Sequence, residues 1–187
     1  MAAAHSLRPT PWRTCRAIAN RTRLKMFGLL VARPGLTVSA VAGESKLPLS
    51  VASEYLRVLE ARGLLVSRRV GRRVEYRVNS ASDSGPASRL AVGLRRAFHR
   101  NCRPVDTIFR LATSFTHPRR IEIFRLLQGG PKTLQELRIS AGISNRAAGR
   151  HLDKLERRGF VSCRDGVYTV ARRFDTLRLE FARLATA

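Results

Sequence analysis

Arginines recur in this chain beside short polar residues, at spacings that suit the reading of a polyanion. Ser144, Asn145, Arg146, Arg150 and His151 open the stretch GISNRAAGRHLDKLERRG, where Ala148, Leu152 and Leu155 recur at helical spacing. Side chains at the N-terminal end of such a helix reach base edges, and an arginine fork bonds both O6 and N7 of guanine. Asn145, Arg146 and Arg150 are therefore candidates for base contacts, and Ser144 for a phosphate. An earlier stretch, LPLSVASEYLRVLEARG, offers Ser50, Ser53, Tyr55 and Arg57 as its candidates, with Tyr55 equally suited to half-buried packing. Arg68, Arg69, Arg72 and Arg73 then surround Gly71, while Arg164 stands beside Asp165. Arginines clustered on a turn suit backbone phosphates or a narrow minor groove.

The totals support the same partner. The 187 residues include 36 Lys and Arg against 13 Asp and Glu, a formal net charge of +23. Only Lys25, Lys46, Lys132 and Lys154 are lysine, and the arginine fork suits phosphate and guanine. An arginine-biased genome would raise the basic count but would not explain the shortage of acids. His5, His99, His117 and His151 are scattered, and no Ser/His/Asp or Cys/His spacing or phosphate-cradling glycine loop is present, so the chain is expected not to be an enzyme. Cys15, Cys102 and Cys163 are isolated, which argues against a zinc site or a disulfide framework and for a reducing cytoplasm. Cys15 and Cys102 are expected on helices, as small packing residues. No cofactor is expected. The longest apolar run is far short of a membrane span, and MAAAHSLRPTPWR lacks the apolar core of a signal peptide.

The elements that position these side chains follow from periodicity and punctuation. Residues 1–11 read as a loose arm, and a short helix starts near Trp12. Asn20 caps RTRLKMFGLLVA, Pro34-Gly35 ends it, and Thr37 caps a third short helix. A fourth runs from Leu49 to a stop at Gly63, and LLVSRRVGRRVEYRV follows as a hairpin. NSASDSGPAS, 79–88, is the clearest linker composition. A helix over about 86–100 carries Leu90, Leu94 and Phe98, Pro104 breaks it, and VDTIFRLATSF forms the next. His117 and Pro118 mark another helix start, Thr133 and Glu136 form a capping-box pattern, and Gly159 suits a helix stop. Asp165-Gly166 is the dipeptide of a type I′ hairpin, and a last helix spans about 172–185.

The second half repeats the first. NRTRLKMFGLL at 20–30 aligns with HPRRIEIFRLL at 117–127, and 46–68 aligns with 142–164. In the latter, Ala52, Leu56, Leu59, Glu60, Arg62, Gly63 and Arg68 match Ala148, Leu152, Leu155, Glu156, Arg158, Gly159 and Arg164. Matches at core and cap positions are what two copies of one fold require. The expected fold class is mainly α with small β-hairpins (α+β): two tandem winged helix-turn-helix domains with flanking interface helices. The expected boundaries are 12–80 for the first domain, 81–104 for a linker and interface helix, and 105–187 for the second domain with its C-terminal helix.

Both halves resemble the ArsR-type winged helix-turn-helix regulators, through AIANRTRLKMFGLL and LATSFTHPRRIEIFRLL and the order helix, turn, recognition helix, glycine, wing. The resemblance covers roughly 12–78 and 105–170 and a helix after each wing. It implies DNA binding, with two recognition helices in successive major grooves, Ser144, Asn145, Arg146, Arg150 and His151 on the base-reading face, and a dimer interface built from the flanking helices. The Cys-x-Cys motif of that family's metal sensors is absent from TVSAVAGES and TLQELRIS, which argues against metal sensing there. The first half also departs from the pattern in Pro48, Leu49 and Val51, and in Glu54 where the second half has Arg150.

The expected function is therefore a sequence-specific, double-stranded DNA-binding transcriptional regulator, a repressor, with no membrane partner. Its halves would pack as an intrachain pseudo-dimer, or two chains would form a homodimer. The alternatives are an architectural or RNA-binding protein and a protein-interaction module on the same scaffold. The residues name no operator and no small-molecule effector.

Overall fold

Glycines and short polar residues at segment ends divide the chain into ten helices and six strands among the described residues. A computed structural model describes residues 10–80 and 85–187. The arm expected over residues 1–11, with His5, lies largely outside the described residues, as does 81–84 of the expected linker.

The first lobe comprises α1 (Pro11–Ile18), α2 (Arg21–Ala32), β1 (Leu36–Thr37), α3 (Val38–Ser45), α4 (Leu49–Glu60), β2 (Leu65–Val70) and β3 (Arg73–Val78). α5 (Pro86–Arg100) follows. The second lobe comprises α6 (Pro104–Ala112), a 3-10 turn (Thr113–Phe115), α7 (Pro118–Gln128), β4 (Lys132–Thr133), α8 (Leu134–Ser140), α9 (Asn145–Arg157), β5 (Val161–Arg164), β6 (Val167–Val170) and α10 (Thr176–Thr186). Each lobe holds a three-stranded antiparallel sheet of the same order, β1-β3-β2 and β4-β6-β5. The registers correspond, with Leu36 opposite Tyr76 in one lobe and Lys132 opposite Tyr168 in the other. The fold is mainly helical with small antiparallel sheets, in the winged helix-turn-helix arrangement.

Local chemistry explains the boundaries. The Asn20 side chain accepts from the Arg23 amide at 2.9 Å, and Thr37 accepts from Ala40. His117 Nδ1 accepts from the Arg119 amide at 3.1 Å, and Thr133 and Glu136 form the reciprocal capping box. Asp165 and Gly166 both take positive φ, 50° and 76°, which the short second hairpin requires. Asn20→Ala should destabilise the chain by about 1 kcal/mol, read as a lower urea midpoint at unchanged slope.

Four details differ from the sequence expectation. Pro104 does not break a helix: α5 ends at Arg100, and Pro104 opens α6, where its missing N–H costs nothing. The helix expected over 105–115 tightens into 3-10 geometry at Thr113. The C-terminal helix starts at Thr176, where the Asp175 side chain caps it. Cys15 is buried on α1, but Cys102 is exposed in the turn between α5 and α6 rather than packed on a helix.

One hydrophobic core runs through both lobes. In the second, Phe115, Phe124 and Phe160 meet edge to face, Phe115 lying 5.2 Å from Phe124 and 4.7 Å from Phe160 between ring centroids. In the first, Phe98 of α5 packs 5.9 Å from Phe27. Gly28 makes room for that ring, since a Cβ there would come within 2.6 Å of it.

The lobes meet through matching elements. α1 packs against α6 and the 3-10 turn that occupy its place in the second lobe, and α5 packs along α10. The cross-contacts come in reciprocal pairs: α2 with α6 and α7 with α1, α5 with α6 and α10 with α1. Arg21 of α2 ties this junction by an ion pair to Asp106 at 3.0 Å and by lying 4.2 Å over the Phe109 ring.

Candidate nucleic-acid interface

α9 buries Ala148, Leu152 and Leu155 and leaves Asn145, Arg146 and Arg150 exposed. Burying each leucine contributes roughly 1.5–3 kcal/mol, which fixes the rotation of the helix and so the side it presents to solvent. Ser144 is the N-cap, its Oγ accepting from the Ala147 amide at 3.2 Å. Its hydroxyl proton stays free for an acceptor outside the helix. Arg146 and Arg150 enter no ion pair or hydrogen bond among the described residues, so no described acid occupies their forks. Farther along, Arg157 is paired with Asp153.

His151 is placed differently from its neighbours. It is half-buried and lies 4.8 Å from the His117 ring at the start of α7. Tyr55, at the same place on α4, is also half-buried and receives the Arg23 guanidinium of α2 at 5.2 Å. In both lobes this position faces the neighbouring helix, whereas Arg146 and Ser50 are exposed. Burial, and then repulsion from His117, Arg120 and Arg150, pushes the His151 pKa down from 6.5 to about 4. His117 is shifted down as well, by burial and then by Arg120, Arg119 and Arg16.

The sign of the linkage follows. Between the unfolded value of 6.5 and the folded value of about 4, the unfolded chain binds more protons at this site. The contribution is fully present above the unfolded value and is lost as pH falls through the window. Urea midpoints should decline from pH 7 towards pH 4, and the decline should be shallower in His151→Phe. An equally steep decline in that variant would contradict the assignment.

α4 offers a different surface. It has no side-chain cap, its N-cap being Pro48, and its first turn exposes Leu49 at 58%. Ser50 and Arg57 are exposed and Ser53 is half-buried. Glu54 is exposed where α9 carries Arg150.

The hairpins differ in size and charge. β2 and β3 have six residues each, and Arg68, Arg69, Arg72 and Arg73 are all exposed on them and their connecting turn. Arg69 donates to the Gly71 carbonyl at 3.3 Å, which steadies the tip. β5 and β6 have four residues each, with exposed Arg164 next to the acid of the turn.

A glutamate braces each hairpin against its helix. Glu60 of α4 accepts from Ser67 Oγ and from the Tyr76 hydroxyl at 3.4 Å. Glu156 of α9 accepts from the Cys163 amide at 3.1 Å. Glu60 and Glu156 align in the sequence, but their role needs the hairpin and helix in place to be visible.

Residues 115–164 match the family model of a helix-turn-helix domain. The match runs from Phe115 through α7, α8 and α9 to the end of β5, so α8 and α9 form the helix-turn-helix pair and α9 is the second helix of that pair. In this fold the second helix enters the DNA major groove. The second lobe thus contains a helix-turn-helix unit, which supports DNA binding and a role in transcription regulation. No curated protein matches the chain. Among the described residues, no helix is long and apolar enough to cross a membrane.

Proposed function

We propose that this chain is a sequence-specific, double-stranded DNA-binding transcriptional repressor whose two lobes act together as an intrachain pseudo-dimer. The observation that carries the reading is the reciprocal packing of the lobes. In a two-fold dimer, element i meets element j and j meets i, which is the pattern of the α1, α2, α5, α6, α7 and α10 contacts. The domains are then 12–80 and 105–187, with α5 as an interface helix rather than a free linker, and the two lobes are copies arisen by tandem duplication.

Each lobe has its own part. Arg146, Asn145 and Arg150 read base edges from α9, and Ser144 donates to a phosphate. In the first lobe Arg68, Arg69, Arg72 and Arg73 hold the backbone, as Arg164 does in the second. Ser50, Ser53 and Arg57 contact the neighbouring half-site, where the exposed Leu49 suits a thymine methyl group. Tyr55 and His151 fix the helices from behind. Half-sites one helical turn, about 34 Å, apart would meet both recognition helices. Occlusion of the duplex is sufficient for repression, and the cytoplasm is the expected compartment.

The test is equilibrium competition at fixed salt between a duplex enriched from a random pool, a scrambled duplex and a structured RNA. The enriched duplex should win by at least roughly a thousandfold over the scrambled one. Equal binding of every duplex would leave an architectural role, and preference for the RNA would overturn the DNA reading.

A further inference from the structure

A cavity of about 800 Å³ lies between α5, the α5–α6 turn, α6 and the start of α10. Its size is that of a site for a small organic ligand, since such pockets span roughly 300–1,000 Å³. Ala97, Leu111 and Leu177 supply apolar lining and are all buried. Four arginines stand around it with a single acid, Asp175. Two already have acid partners: Arg178 pairs with Asp175, and Arg103 pairs at 3.0 Å with Asp106, which it shares with Arg21. Arg96 and Arg100 are not, and no acid pairs with either among the described residues. They sit one turn apart on α5, where like charges repel. The N-terminal end of α10 borders the same space, where the Asp175 side chain already caps it.

We propose that this cavity binds an amphipathic organic anion, with its carboxylate or sulfonate on Arg96 and Arg100 and its apolar body against Ala97, Leu111 and Leu177. A nucleic-acid backbone would use the cations but not the apolar lining, whereas a neutral apolar molecule would use the lining but not the cations. The two together select a ligand that carries both. This inference does not depend on the lobes reading DNA.

The probe is anilinonaphthalene sulfonate, compared with N-phenylnaphthylamine, the same body without the sulfonate. Fluorescence titration of the full chain should give one site, with the neutral analogue at least tenfold weaker. Arg96→Ala with Arg100→Ala should lower sulfonate affinity at least tenfold, while Arg68→Ala with Arg72→Ala on the β2–β3 hairpin, outside the cavity lining, should leave it within twofold. Both pairs are surface changes, and unaltered circular dichroism would show that the variants are folded. Location is read from thiol chemistry: Cys102 lines the cavity and is exposed, whereas Cys163 lies on β5. Saturating probe should slow alkylation of Cys102 by iodoacetamide at least fivefold and leave Cys163 unchanged. Equal affinity for the neutral analogue, equal loss in the hairpin variant, or unslowed Cys102 alkylation would each overturn the proposal.

Discussion

Arg146→Ala is expected to weaken binding to the preferred duplex by about 1–3 kcal/mol, roughly 5- to 150-fold, and to erase preference at one base pair. The size follows from the chemistry of a bidentate guanine contact and from the arginine being free. It is exposed on the first turn of α9 and enters no ion pair among the described residues, so truncation removes a contact to DNA without orphaning a described partner. The melting temperature should stay unchanged, because Ala148, Leu152 and Leu155, which anchor the helix, face the other way. Arg72→Ala should behave differently. It lies on an exposed hairpin tip, where a phosphate contact carries no sequence information. Its loss should weaken all duplexes alike and reduce the slope of log K against log salt by about 1. Matching profiles for the two variants would remove the division of labour between helix and hairpin.

Phe115→Ala should cost about 3–5 kcal/mol of stability, a large fraction of what a chain of this size possesses. The ring is fully buried and touches both Phe124 and Phe160, so truncation leaves a cavity lined by two rigid aromatics that cannot collapse into it. It also sits on the 3-10 turn that α1 of the first lobe packs against. The damage should therefore reach both lobes. Urea unfolding of the wild type should follow one transition, and in the variant one transition at a lower midpoint. Two separated transitions, with only the second lobe's shifted, would show that the lobes fold independently.

Much of this was encoded locally. Asn20, Thr37, His117 and Thr133 mark helix starts because a cap needs only residues within one turn. Asp165-Gly166 marks its hairpin for the same reason. β1 and β4, of two residues each, have no periodicity, and they exist only because β3 and β6 lie beside them. Proximity between distant segments was equally hidden. His117 and His151 are 34 positions apart, and nothing in either segment reveals that the rings meet. Tyr55 and His151 were recognisable as residues on the basic helices. Their half-buried placement depends on α2 and α7, and it separates them from the exposed arginines. That Arg146 and Arg150 pair with no acid among the described residues could be read only from the fold.

In the proposed arrangement one chain supplies both readers of a single DNA site. The most direct test is the mass and symmetry of the complex: select duplexes from a random pool, then weigh the complex on the enriched duplex by sedimentation at nanomolar concentration. The account predicts one chain per duplex and an asymmetric sequence whose two halves lie about one helical turn apart. Two chains on a palindrome would contradict it.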